Sequence, residues 1–303
     1  MLSARAFLGQ PGSWRMLIDI GLIGIFGGIF IVPLYALIQQ RSRPEVVSRV
    51  ISATNIINAL FMVAAALFGA VALRSGLTIP QLFVAVAIMN GAVAIYIYTL
   101  VPEFLLRFLS WLLVHVIYRL RVKSIDRIPE QGPALLICNH VSFVDPIVIS
   151  AGCPRPIRFI MEASIFRIPV LNGVFRGMKA IPVAPAKDDP EVYERAFQAV
   201  AKELRAGQLV CIFPEGRLTR DGEIAEFRAG MMRILKETPV PVIPLALSNL
   251  WGSMFSRFGA SVWQRLPRRY LAKITLAAGE PIAAEDANLE NLRNAVAALR
   301  IKA

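Results

Sequence analysis

Of the two histidines in this 303-residue chain, His140 stands five residues ahead of an aspartate in Asn139-His140-Val141-Ser142-Phe143-Val144-Asp145. Imidazole is the one side chain whose ordinary titration falls near neutral pH, and a carboxylate within reach fixes its tautomer and favours its charged form. The pair therefore reads as a general base, His140, with Asp145 as its orienting partner. About seventy residues later, Phe213-Pro214-Glu215-Gly216-Arg217-Leu218-Thr219-Arg220 sets an acid and two arginines on a turn punctuated by Pro214 and Gly216. Arginine forms bidentate, charge-assisted hydrogen bonds with phosphate, and glycine lets a backbone come close to a ligand. Arg217 and Arg220 are the expected phosphate contacts, with Glu215 and Gly216 beside them in the substrate site. His115 is the counterexample, set among Leu112, Leu113, Val114, Val116 and Ile117 with no acid nearby, and it reads as a packing residue.

Both clusters follow short apolar runs, Ala134–Cys138 and Gln208–Ile212. Strands ending in polar, Gly/Pro-rich turns suggest neighbouring strand ends in an α/β sheet, where ligands usually bind. Further along, strands are expected at 157–161, 179–183, 241–247 and 271–277. Helices are expected at 146–152, 165–175, 190–205, 226–237 and 287–301. This alternation predicts an α/β fold, a mixed sheet covered by helices. Asp145-Pro146 also has the form of a helix start, with Asp145 capping exposed amides.

The front of the chain is of another kind. Mean hydropathy is +0.57, and Met16–Ile38, Ile51–Leu73 and Leu82–Val101 each hold about 20 residues with almost no charge, the length of a bilayer core. Residues 1–101 are read as a membrane segment of three transmembrane helices. Residues 102–121, apolar and aromatic with arginines at both ends, are read as an interfacial helix, and 122–303 as the catalytic domain. Arg41, Arg43 and Arg49 lie between the first two spans and only Arg74 between the next two, which places the first loop and the catalytic domain on the cytoplasmic side of an inner membrane. The first 101 residues hold 6 of the 33 lysines and arginines and 2 of the 21 acids, leaving a net charge of +8 on the rest. A cationic domain beside a membrane is drawn to anionic headgroups and phosphate-bearing substrates. Nucleic acid is not expected, because no aromatic–basic RNA motif or zinc-finger spacing occurs. Cys138, Cys153 and Cys211 lack metal-ligand spacing, so buried thiols are expected and no metal.

The ordered pair Asn139-His140 … Asp145 and Phe213-Pro214-Glu215-Gly216-Arg217 resembles the signature motifs of the glycerolipid acyltransferases, which include lysophosphatidate acyltransferase, over roughly residues 115–290. The resemblance implies transfer of a fatty acyl group from acyl-CoA or acyl carrier protein, the co-substrate, to a lysophospholipid hydroxyl. His140 would be the base, Asp145 its partner, and Glu215, Gly216 and Arg217 the acceptor-binding motif. No cofactor is implied, since the thiolate leaves without a metal. The family's intermediate motif would fall within Phe166–Pro182, though Ala184-Pro185 stands where its arginine is usual. Val242–Leu247 matches the fourth, apolar block. The Arg217-Leu218-Thr219-Arg220 form is more similar to acylglycerophosphoethanolamine acyltransferases. Gly27-Gly28 … Val32-Pro33-Leu34 and Ile51–Leu60 resemble the last helices of a major facilitator, as in lysophospholipid transporters fused to acyltransferases, which implies a transporter or acyl-activating partner. Two other classes stay open: a lysolipid transport component, and a non-catalytic lipid-binding protein.

Overall fold

The computed structural model describes residues 3–100, 102–253, 255–256 and 271–302, and the chain divides into two compact units, Met1–Phe104 and Leu105–Ala303. In the first, a short helix α1 (Ala4–Leu8) precedes α2 (Ser13–Arg41), α3 (Val47–Arg74) and α4 (Ile79–Leu100). These last three are long and apolar enough to cross a membrane. Their apolar side chains, such as Phe61, Met62, Phe83 and Ile95, are exposed, as expected of helices whose solvent is lipid. Two contacts tie the helices together: Asn58 Nδ2 donates to the Tyr35 hydroxyl at 2.8 Å, and the rings of Phe30 and Tyr98 meet edge to face at 5.8 Å. Asp19, near the start of α2, lies 3.9 Å from Arg15 one turn earlier. Val101, the last residue of the expected third span, lies outside the described residues.

α5 (Pro102–Ile117) leads into the second unit, and there the reading of 102–121 as one helix is corrected. The helix stops at Ile117, and Tyr118–Lys123 forms β1. Tyr118-Arg119-Leu120-Arg121-Val122-Lys123 alternates apolar and basic residues with the period of a half-buried strand. Continuity with the apolar stretch before it hid that change of period.

Among the described residues the sheet has seven strands. β2 (Ala134–Cys138), β3 (Ile157–Glu162), β4 (Ile181–Val183), β5 (Leu209–Ile212), β6 (Val242–Ser248) and β7 (Ala272–Ala278) join β1 in the order β1-β7-β6-β2-β5-β3-β4. β6 and β7 pair antiparallel and every other pair is parallel, so the sheet is mixed. The helices α6 (Asp145–Gly152), α7 (Pro169–Gly177), α8 (Pro190–Arg205), α9 (Gly230–Glu237) and α10 (Leu289–Lys302) complete the domain. β2 and β6 are buried along their whole length, which explains why they read as unbroken apolar runs. Alternate residues of β2 feed two cores: Leu136 and Cys138 pack with Val148, Ile149 and Phe159, whereas Leu135 and Ile137 pack with Phe197, Leu204, Met231 and Val296. Each helix thus covers a face that the strand pleat has already made apolar.

Candidate active site

β2 and β5 are adjacent and parallel, so the turns after Cys138 and Ile212 emerge side by side. The first is anchored by Asn139, fully buried, whose Nδ2 donates to the Leu247 carbonyl at 3.0 Å while its Oδ1 accepts from the Leu247 N–H at 2.8 Å. A side-chain amide here extends the β2–β6 ladder by one rung, and the chain then turns outward at His140.

The second turn grips His140 by both backbone groups. Its N–H donates to Glu215 Oε1 at 2.8 Å, and its carbonyl accepts from the Thr219 N–H at 2.9 Å. Glu215 Oε2 accepts from the Ala225 N–H at 2.9 Å. Burial pushes the Glu215 carboxyl above its ordinary range, with these backbone donors pulling it partly back. The imidazole stacks on Phe213, ring centroids 4.2 Å apart and planes 20° from parallel.

Asp145 supplies the next shell. Pro146 favours a helix start there, and α6 begins at Asp145 itself. Its carboxylate does not cap the helix as expected. Oδ2 instead accepts from the Val141 and Ser142 N–H groups at 2.8 and 3.0 Å and meets His140 Nδ1 at 2.7 Å. An Oδ2 that already accepts from two backbone N–H groups takes its third bond from Nδ1–H, and in the neutral ring that tautomer leaves the Nε2 lone pair free. Oδ1 makes no hydrogen bond among the described residues. Asp145 is completely buried, and desolvation raises its pKa, opposed by the bonds from His140, Ser142 and Val141.

The His140 ring, 21% exposed, lies on the wall of a cavity of about 820 Å³. Most of that wall is apolar, formed by Ile160, Ala196, Phe197, Val200, Met231 and Ile234 among others. Arg217 and Arg228 line it as well, with Pro214 and Gly216.

The family model described as "Acyltransferase" matches residues 119–248, which contain every one of these groups. The chain carries an acyltransferase-family domain. A chloroplastic 1-acyl-sn-glycerol-3-phosphate acyltransferase of Arabidopsis thaliana is 27% identical over 135 residues, 44% of this chain and 37% of that protein. The Pseudomonas aeruginosa 1-acyl-sn-glycerol-3-phosphate acyltransferase is 27% identical over 145 residues, 46% of this chain and 54% of its own length. This chain thus spans about half or less of the curated relatives it matches. The crystal structure of the 1-acyl-sn-glycerophosphate acyltransferase PlsC from Thermotoga maritima aligns with a TM-score of 0.52 at 19% identity, covering 71% of this chain and 86% of that one. That likeness is one of fold.

Within the acyltransferase domain the expected site residues part company. His140, Asp145, Glu215, Gly216 and Arg217 come together, but Glu215 is turned inward and spent on backbone amides. Arg220 is exposed and absent from the cavity wall. Arg176 bonds to Asn172 on its own helix and does not line the cavity, whose wall does include Val183, Ala184, Pro185, Lys187 and Asp188. Cys138 and Cys211 are fully buried and desolvation lifts their thiols well above the ordinary range, which makes them packing groups rather than nucleophiles.

Arg228 was missed in the sequence. Its backbone N–H donates to the Pro214 carbonyl at 2.8 Å, and its side chain lies across Gly216. A Cβ on residue 216 would fall 2.8 Å from Arg228 Nε, and the backbone there has φ +65°. The left-handed backbone is what favours glycine at 216, whereas the exposed Arg228 side chain could swing aside from a Cβ there. The faint signal was Phe227-Arg228-Ala229-Gly230, a cation just before a helix start.

Proposed function

We propose that this chain is a membrane-anchored lysophospholipid acyltransferase, with 1-acylglycerol-3-phosphate as the acceptor that its similarity to named relatives supports first. One observation carries the reading: an imidazole oriented through Nδ1 by a buried carboxylate opens onto an apolar cavity that two arginines also line. The acceptor hydroxyl gives its proton to His140 Nε2, and Asp145 stabilises the imidazolium that results. The hydroxyl oxygen then attacks the thioester carbonyl of acyl-CoA or acyl carrier protein. The new C–O bond forms as the C–S bond breaks, and the thiolate leaves with the proton that His140 returns. Apolar walls suit a fatty chain, while Arg217 and Arg228 suit a phosphate.

Glu215 acts in this reading as a positioning residue, holding the His140 backbone. The three long apolar helices anchor the chain, with the catalytic domain on the cytoplasmic face by the arginine bias of the first loop. α5 lies at the interface, since Leu109, Trp111, Leu113 and Val116 remain exposed on it.

The test is acyl transfer from labelled acyl-CoA or acyl carrier protein to a panel of lysophospholipids by purified membranes. His140→Ala should lower kcat by about 10³ or more, in the range expected for loss of a general base, with unchanged membrane content. Turnover within about tenfold of the parent would defeat the assignment.

A further inference from the structure

β1 carries a second feature, remote from His140. Alternation puts Arg119, Arg121 and Lys123 on one face of this strand, while Tyr118 and Leu120 turn the other way into the core. In the parallel register with β7, Arg119 lies opposite Lys273 and Arg121 opposite Thr275. Arg119, Arg121 and Lys273 are exposed, and among the described residues they form no hydrogen bond or ion pair. Neither strand contains an acid. Adjacent strands lie about 4.8 Å apart, so Arg119 and Lys273 are like charges at close quarters, an arrangement that costs stability.

Basic residues on an edge strand discourage sheet-to-sheet pairing. That accounts for Arg119 and Arg121 on the outermost strand, but β7 is an interior strand and Lys273 has no edge to guard. A row that repels itself and spans two strands is relieved by an external anion. Its extent favours an extended array of negative charge over one small ion. β1 also follows directly on α5, which leaves Leu109, Trp111, Leu113 and Val116 exposed. Apolar side chains running straight into Arg119 and Arg121 form the pattern of a surface seated on anionic lipid, the chains entering the interface and the guanidinium groups meeting headgroups.

We propose that Arg119, Arg121 and Lys273 form a docking face for anionic phospholipid, separate from the substrate cavity. The face orients the catalytic domain on its membrane and takes no part in the reaction. Its partner is a bilayer surface, and an acidic protein is the competing occupant.

The test uses the full chain in nanodiscs of phosphatidylcholine alone or with about a third phosphatidylglycerol, the composition range in which surface potential becomes appreciable. Lys273 is footprinted with an amine reagent and read by mass spectrometry, with exposed Lys202 on α8 as the internal control. Labelling of Lys273, relative to Lys202, should fall at least fivefold in the anionic discs and recover in ~0.5 M salt, where screening is nearly complete. In Arg119→Gln/Arg121→Gln the protection should vanish, since each cation near such a surface contributes a factor of roughly five in binding. Equal labelling in both discs overturns the proposal. So does protection that survives the double substitution, or protection that needs an acidic acyl carrier protein instead of anionic lipid. Acyl transfer measured on the same discs separates this result from the enzymatic reading, because Lys273 protection does not depend on turnover.

Discussion

The two turns that build the site, after β2 and after β5, differ in how their side chains are used. After β2, the key groups are buried and bonded: Asn139 to Leu247, His140 to Asp145, and Asp145 to two loop amides. After β5, neighbouring residues diverge, with Glu215 turned inward to the backbone and Arg217 outward to the cavity. Abstracting a proton demands geometry held to a fraction of an ångström, and the proposed base is held by hydrogen bonds at its backbone N–H, its carbonyl and its Nδ1. Holding a headgroup tolerates movement, and two exposed guanidinium groups supply it at no cost in buried charge. In the proposed reading, rigidity falls on the base and mobile charge on the acceptor's phosphate.

If that division is right, Asp145→Asn should produce the largest effect after removal of His140 itself. The amide cannot serve all three donors as an acceptor while stabilising an imidazolium, so kcat should fall by about 10²–10⁴, the span assigned to a positioned acid–base group. Stability should respond with the opposite sign. The folded pKa of Asp145 is raised by burial, so between its ordinary value of 3.8 and the raised one the folded state binds more proton than the unfolded. Its contribution is then fully present below pH 3.8 and is lost as pH rises through the folded pKa. The stability of the parent minus that of Asp145→Asn, from chemical unfolding across pH, should decline as pH increases through this window. A difference that grew with pH would mean the carboxylate is stabilised by its partners more than it is penalised by burial.

Glu215→Gln sharpens the comparison by asking whether the acid belongs to the ligand or to the frame. An amide can accept from one of the His140 and Ala225 N–H groups but presents its own NH₂ to the other. An unsatisfied buried donor costs about 1–3 kcal/mol, and His140 loses its fixed position. The expectation is a lower melting temperature with kcat reduced roughly 10–100-fold, as displacement of a catalytic group by an ångström produces, and little change in acceptor KM. A raised KM for the phosphate-bearing acceptor with unaltered melting would assign Glu215 to the ligand after all.

How much of this was legible in the sequence follows from range. His140 with Asp145 was readable because five residues keep both on one strand–turn–helix unit, and the strands were readable because β2, β5 and β6 are buried on both faces. α8 begins and ends where its pattern predicts, with Asp189 accepting from the Val192 N–H at its start. β1 was not legible, because its pairing with β7 is a contact across some 150 residues and an apolar helix runs straight into it. Glu215 was found, but its inward turn was not: a motif fixes which residue stands at a turn, while the donors that hold its carboxylate come from His140 and Ala225. Arg228 was missed for a related reason, since only the chain's return past Pro214 brings it over Gly216.

The smallest effects concern the cations. Arg217→Ala and Arg228→Ala should each raise the acceptor KM with kcat nearly kept, by about tenfold, a loss of roughly 1.5–3 kcal/mol for a charged hydrogen bond reduced by the exposure of both side chains. Arg220→Ala, outside the cavity wall, should change KM by less than about twofold, the usual range for a surface substitution. The pair can also be tested against each other. If the two guanidinium groups share one phosphate, the double variant should lose less than the product of the single losses, because removing the first already loosens what the second holds. Strict multiplicativity would place them on different parts of the ligand, and equal effects from Arg220→Ala would dissolve the distinction between cavity and surface on which the division of the β5 turn depends.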